Sequence, residues 1–284
     1  LYLNDLSPVS CYESSFLINT GSIIYQNNNF SILVKKPYLR ESFYQKNTLV
    51  SNLISSAFPN TIILAFSAII FAIILAIPLG VLSAYFKDSI IDKMISLVSI
   101  FGMSLPSFFT AILISYLFAF KFGSITNLNI TGSLFVYDDY GLGQKLQLKN
   151  LLLPALTLGI RPLAVIVHLT RNSLIEQLSL DYILLAQSKG FSMSYVIVFH
   201  ALKNSMTSVV TTASGWFAGM LSGAVFVEYI FGWNGLGKLL VDALMTVDFP
   251  LVMGVILVIA TCFVVINILV DLIYIWLDPR VAID

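Results

Sequence analysis

Hydrophobic residues are gathered along this chain into long runs, separated by shorter stretches that carry most of the charge. Five runs stand out, at about 60–82, 97–120, 151–169, 209–231 and 251–276. Each is close to the roughly 20 residues a helix needs to cross a hydrocarbon core of about 30 Å. Helices are required there because irregular backbone facing lipid would leave its N–H and C=O groups unpaired. The clearest are the second and the last, since no charged residue occurs between Lys93 and Lys121 or between Asp248 and Asp271. The run at 151–169 is the least clear, because Arg161 and Pro162 sit inside it. The pattern predicts an all-α integral membrane protein with five visible spans.

Composition agrees: 58% of residues are hydrophobic and 11% charged, too apolar a mixture for a water-soluble domain. The formal net charge is zero, which gives no global field for attracting nucleic acid. Cys11 and Cys262 form neither a disulfide framework nor a metal-ligand spacing, and His168 and His200 have no Cys or carboxylate at ligand spacing. The polar pieces are 1–59, 83–96, 121–150, 170–208, 232–250 and the tail 277–284. A short helix is expected near 41–57, and no signal-peptide pattern is present. Lysine and arginine are distributed so evenly between the two sets of loops that charge alone does not orient the chain.

Prolines and glycines punctuate the runs. Pro78, Pro106 and Pro162 each remove a backbone hydrogen bond, so kinked and mutually packed helices are expected. Gly215, Gly219 and Gly223 recur every fourth residue and leave one face of their helix bare. That face suits close approach of another helix; a second reading has it line a path together with Ser222.

The polar segment 170–208 is the most informative. Leu174, Ile175, Leu178 and Ile183 lie on or near one face of a first helix, which Gly190 ends; Ser192 then stands where a cap belongs, before Tyr195, Val196, Phe199 and Leu202. Two short amphipathic helices about a tight turn can present an apolar face to a protein groove or lie on lipid headgroups. The residues alone leave both readings open.

Asp181-Tyr182, Ala186, Lys189-Gly190, Ser192 and the run from His200 to Asn204 resemble the EAA loop of binding-protein-dependent ABC importer permeases, in the B-type subunits of the dipeptide, oligopeptide and nickel family. Further segments are similar in order: Phe58-Pro-Asn-Thr61, Ser104-Leu-Pro-Ser-Phe108, Gly223 to Glu228, Gly235-Leu-Gly237, Asp248-Phe-Pro250, Asn267 to Asp271 and Asp278-Pro-Arg280. Together they cover about 40–281. The sequence departs from the family pattern at Leu184, Leu185 and Lys203 of the loop, at Asn234 in place of a proline, and at His168 in place of an arginine.

The resemblance implies a type I ABC importer permease fold in the bacterial inner membrane, with a first span upstream of Leu1, residues 1–59 outside the cell membrane and the 170–208 loop in the cytoplasm. It implies a homologous permease subunit, two ABC ATPase domains and an extracytoplasmic solute-binding protein as partners. This chain would then be no enzyme and hold no cofactor; ATP and Mg would be bound by the ATPase subunits, in keeping with the lack of a phosphate loop. Ala186, Lys189, Gly190, Ser192, Tyr195, His200 and Leu202 would couple to the ATPase. Arg161, Gly219, Ser222 and Glu228 are candidates for the translocation path. An arginine near mid-span costs about 2.5–3.5 kcal/mol on insertion scales, so three readings are open for Arg161: contact with a substrate carboxylate, a pair with Glu228, or a position closer to the membrane interface. Di- and oligopeptides are the expected cargo, with nickel or another small solute as the alternative. A secondary transporter would show intramembrane carboxylates or inverted repeats, and neither is visible.

Overall fold

The computed structural model describes residues 5, 7, 9–12, 21–26, 31–35, 38–137 and 143–277. Among these, three helices are long and apolar enough to cross a membrane: α1 (Val50–Tyr85), α4 (Lys149–Leu178) and α9 (Phe249–Leu277). Two bent helix pairs bring the number to five. One pair joins α2 (Ile90–Ser104) to α3 (Ser107–Ile114), which continues as a π-helical stretch over Ser115–Lys121. The other joins α6 (Leu202–Gly223) to α7 (Val225–Phe231). Short helices α5 (Asp181–Ser188) and α8 (Leu236–Met245) complete the main helical set.

Outside the apolar runs this mostly helical chain also carries short strands. Strands β1 (Val9–Tyr12), β2 (Gly21–Gln26) and β3 (Ser31–Lys35) form an antiparallel sheet in the order β1-β3-β2. β4 (Phe135–Tyr137) pairs with β5 (Gln144–Leu146) in a second antiparallel sheet. The short helix expected at 41–57 is corrected. Glu41 bridges to Leu49 across a turn, and helix starts only at Val50, whence it runs unbroken through the first apolar run.

Two compact units are present. One comprises Leu1–Ala57 and Leu239–Leu257. Here the buried Asp248 organises the turn: its carboxylate accepts hydrogen bonds from Ser42 Oγ and from the Phe43 and Tyr44 N–H groups. Burial pushes the pKa of this carboxyl up, but those donors outweigh it and hold the group below the usual carboxylate range. Arg40 Nη2 pairs with Asp5 at 2.6 Å in the same unit.

The second unit comprises Phe58–Lys238 and Val258–Asp284 and carries the larger core. Its centre is a seam between α1 and α4. Ala65, Ala68, Ala72 and Ala76 are wholly buried along one face of α1, whereas Phe66, Ile70 and Ile74 are exposed on the other. A side chain at Gly159 would put its Cβ 2.8 Å from the Ala68 carbonyl oxygen, and one at Gly80 would come within 2.6 Å of Thr170 Cβ. Small residues thus allow the two backbones to approach, as membrane helix packing requires in the absence of a strong hydrophobic drive. The bare face at Gly215 and Gly219 behaves differently: a Cβ at either position would meet nothing within 4 Å. The close packing foreseen there occurs at Gly80 and Gly159 instead.

Of the prolines, Pro78 and Pro162 stay inside continuous helices, but Pro106 marks a bend of 110° between α2 and α3. Leu105, at ψ 134°, is extended as a residue before proline prefers, and Pro106 then starts the new helix without needing its missing N–H. Replacing Gly159 by valine should force α1 and α4 apart, at a cost of about 1–3 kcal/mol. Thermal unfolding of the purified protein in detergent, monitored by tryptophan fluorescence, should show a clearly lowered midpoint; Gly215→Val should leave it nearly unchanged.

Candidate functional site

Glu228 was a candidate for the translocation path, but the structure gives it a different place. Its side chain is wholly buried, and its carboxylate accepts from Thr61 Oγ1 at 2.7 Å, Gly237 N–H at 2.6 Å and Lys238 N–H at 3.3 Å. The same Thr61 hydroxyl oxygen accepts the Leu236 N–H at 2.8 Å. Trp233 Nε1 donates to the Asn60 carbonyl, and Asn60 Nδ2 donates to the Asn234 carbonyl. A side chain at Gly235 would fall on the Glu228 carboxylate, and one at Gly237 on the Val225 backbone. Gly232 ends α7 in the left-handed conformation at φ 64°, turning the chain so that Trp233 N–H reaches the Glu228 carbonyl. Three segments picked out from sequence, around Thr61, Glu228 and Gly235, are therefore one hydrogen-bonded lock.

Next to this lock lies a cavity of about 460 Å³. Its wall includes Ser107 at the head of α3, Thr157 and Arg161 from α4, Trp216 and Gly219 from α6, and Phe226 from α7. Phe108 and Phe226 pack with ring centroids 6.3 Å apart, which couples the bend at Pro106 to the start of α7. Arg161 and Gly219, both named from sequence, are brought together here. Arg161 has no hydrogen-bond or ion-pair partner among the described residues, so the pairing with Glu228 is not formed. The side chain of Ser222 lies outside the described residues.

A second polar centre joins the opposite ends of α1, α2 and α4. Arg171 grips Asp92 through Nε and Nη2, both at 2.6 Å, while Ser83 Oγ and the Asp88 N–H donate to the same carboxylate. This bidentate geometry gives direction as well as attraction. Nothing in the hydrophobic pattern indicated it, because Asp92 and Arg171 stand 79 positions apart.

From that clamp the chain enters the 170–208 loop. α5 ends at Ser188, and Gly190 in the turn that follows takes φ 87° with open space around its missing side chain. Glycine is suited to that turn because the left-handed conformation strains other residues. Ser192 occupies the cap position in an extended conformation, but its side chain makes no capping hydrogen bond. Nor is the following helix a separate short element. It runs from Met193–Val196 through a π-helical turn at Ile197–Ala201 into α6, as one rod over Met193–Met220.

The loop's own core is formed by Leu174, Ile183, Ala186, Val196, Ile197 and Ala201. Ala186, expected to couple to a partner, is thus a packing residue. Lys189, Ser192 and Tyr195 are exposed, whereas His200 and Leu202 are half-buried. Phe191, Tyr195 and Phe199 form an exposed aromatic strip, with ring centroids 5.0 Å apart for the first pair and 4.6 Å for the second. His200 packs its ring against Phe191 and Tyr195. Phe191 and Phe199 had not been named as coupling residues; their helical spacing about Tyr195 was the signal.

Residues 76–283 match the family described as binding-protein-dependent transport system inner membrane component. The chain belongs to this family. It is therefore a multi-pass permease of the inner membrane, and the resemblance read from its motifs is established. A putative peptide permease protein of Brucella suis is 36% identical over 245 residues, covering 86% of this chain and 75% of that protein. The dipeptide transport system permease protein DppB of Haemophilus influenzae is 32% identical over 273 residues, covering 92% of this permease and 78% of its relative. Among solved structures, the inward-facing MetNI methionine ABC transporter aligns with a TM-score of 0.62 at 14% identity, over 78% of this chain and 94% of that one. An amino acid ABC transporter with histidines aligns with a TM-score of 0.56 at 17% identity, over 79% and 94% of the two chains. At such identities these structures establish the ABC importer permease fold alone.

The lock makes a sharp forecast for the permease. Glu228→Ala strips acceptors from Thr61 and two backbone N–H groups at a buried site, which should cost about 1–3 kcal/mol. Scanning fluorimetry in detergent should show a lower unfolding midpoint for this variant than for Glu228→Gln, which keeps one carbonyl acceptor in place.

Proposed function

We propose that this permease is one of two homologous membrane subunits of an ATP-driven importer for short peptides, working with two ABC ATPase domains and an extracytoplasmic solute-binding protein. ATP is bound with Mg and hydrolysed by the ATPase subunits, not by this chain. The peptide assignment is supported by relatives named as peptide and dipeptide permeases that share about a third of their residues with most of this chain.

The observation that carries the coupling role is the exposed aromatic strip of Phe191, Tyr195 and Phe199 on a loop held firmly from beneath. Tyr195 and Phe199, four residues apart on one helix, with Phe191 stacked beside them from the turn before it, suit a hydrophobic groove in a partner, with the i, i+4 anchors that helix-in-groove recognition uses. Tyr182 braces the loop: its hydroxyl donates to Gln177 Oε1 at 2.8 Å and accepts from Asn204 Nδ2 at 3.2 Å. In this reading the strip sits in a cleft of an ATPase subunit on the cytoplasmic side. Closure of the ATP-bound ATPase pair pushes on it, and the rod over Met193–Met220 carries the displacement to the cavity wall.

Two variants test this in proteoliposomes holding the complete assembly. Gly190→Val puts a β-branched residue into a left-handed turn, with strain of about 1–2 kcal/mol. Uptake of a radiolabelled dipeptide should fall about tenfold while ATP hydrolysis continues. Phe199→Ala should release the ATPase subunits during purification, since a truncated aromatic anchor typically costs 2 kcal/mol or roughly more. Normal coupling in both variants would remove the loop from the transmission path. Uptake of nickel but of no peptide would retain the machinery and replace the cargo.

A further inference from the structure

The charge inside the cavity is one-sided. Of the side chains that line it, Arg161 alone is ionised, and the polar atoms beside it are the hydroxyls of Ser107 and Thr157. Trp216 and Phe226 supply flat apolar surface on the same wall. Arginine is always charged, presents five N–H donors in a rigid fork and matches a carboxylate bidentately. Placing such a group in the middle of a membrane helix is costly unless a counter-charge or water meets it. Among the described residues no carboxylate pairs with Arg161. Glu228 is committed to Thr61 and the Gly237 and Lys238 N–H groups, and Asp92 to Arg171 and Ser83. The cavity's volume of about 460 Å³ falls within the range of about 300–1,000 Å³ common for small-molecule sites.

We infer that this cavity is a transit site that recognises the C-terminal carboxylate of the passing peptide, with Arg161 as the reading group. This rests on the peptide-importer reading above. Ser107 completes the polar end by offering a hydroxyl donor to the same anionic group, the Thr157 hydroxyl being spent on the Leu153 carbonyl at 2.8 Å, and Trp216 and Phe226 form an apolar end against which peptide side chains lie. The site is weak by construction. It is open, it has a single charge, and part of its wall belongs to α6, the element continuous with the loop. A transit site must release what it binds, and displacement of Trp216 and Gly219 relative to Arg161 would separate its two ends. Its selectivity is independent of the solute-binding protein, because it acts after delivery.

The test is ATP-driven uptake by the complete assembly in proteoliposomes, comparing leucyl-leucine with its C-terminal amide. Each peptide is supplied at a concentration that saturates the solute-binding protein, so that delivery is equal. The unaltered assembly should carry the free acid faster by roughly ten- to a hundredfold, the worth of one hydrogen bond to a charged group. Arg161→Gln should abolish that preference by slowing the acid and leaving the amide alone, and Arg161→Lys should restore part of it. The result that overturns the inference is an unchanged acid-to-amide ratio in Arg161→Gln. Equal slowing of both peptides, with loss of the copurifying permease partner, also overturns it and makes Arg161 an assembly contact. Failure of the unaltered assembly to import any peptide removes the peptide reading itself, a result distinct from either of these.

Discussion

The carboxylate of Glu228 is the point at which three distant stretches of the permease are tied together. A wholly buried carboxylate is tolerated only where donors replace water, and here the Thr61 hydroxyl and two consecutive backbone N–H groups do so. Because Glu228 sits on α7, the same bonds fix Val225 and Phe226, which form part of the cavity wall. The glycines at 235 and 237 follow from this arrangement, since any side chain there would occupy the space of the carboxylate or of the Val225 backbone. One polar cluster thus sets the start of α1's second-unit portion, the turn after α7 and one side of the cavity.

The rest of the second unit is organised around α4. This helix carries Arg161 at the cavity and Arg171 in the clamp with Asp92, and it meets α1 along the seam of small residues. α6 runs beside it and is continuous with the aromatic strip of the loop. A clamped helix and a helix that ends in an exposed handle therefore form two walls of one cavity. The clamp is charged and bidentate, so it resists sliding; the small-residue seam resists separation. α6 packs along α4 and carries Gly215 and Gly219 at positions where a side chain would meet nothing within 4 Å.

Much of this was legible along the chain. The five apolar runs fall within the three long helices and two bent pairs, and Gly190 takes the left-handed turn that its position implied. Motif order identified the family because it reflects contacts: the segments around Thr61, Glu228 and Gly235 meet in space. Other features were hidden for physical reasons. Glycine spacing every fourth residue shows that a face is bare but not what approaches it, and the tight contacts fell at Gly80 and Gly159. Ala186 reads as part of a surface motif yet packs inward, because an alanine suits either setting. The extended Leu105 follows from its place before Pro106, but the 110° of the bend is not given by the proline alone. The Asp92–Arg171 clamp joins residues whose separation leaves no periodic trace.

The π-helical turn at Ile197–Ala201 has a consequence of a different kind. A π turn holds one residue more than the α-helical turn it interrupts, so the helix before it and the helix after it are out of phase by one position. Each residue of an α-helix advances about 100° around the axis. The angle between the aromatic strip and the cavity-facing side of α6 is therefore set by a count of residues as much as by their chemistry. Every side chain on the strip could be kept and the alignment still lost by removing one residue from the turn. For this stretch of the permease, length is itself inherited information.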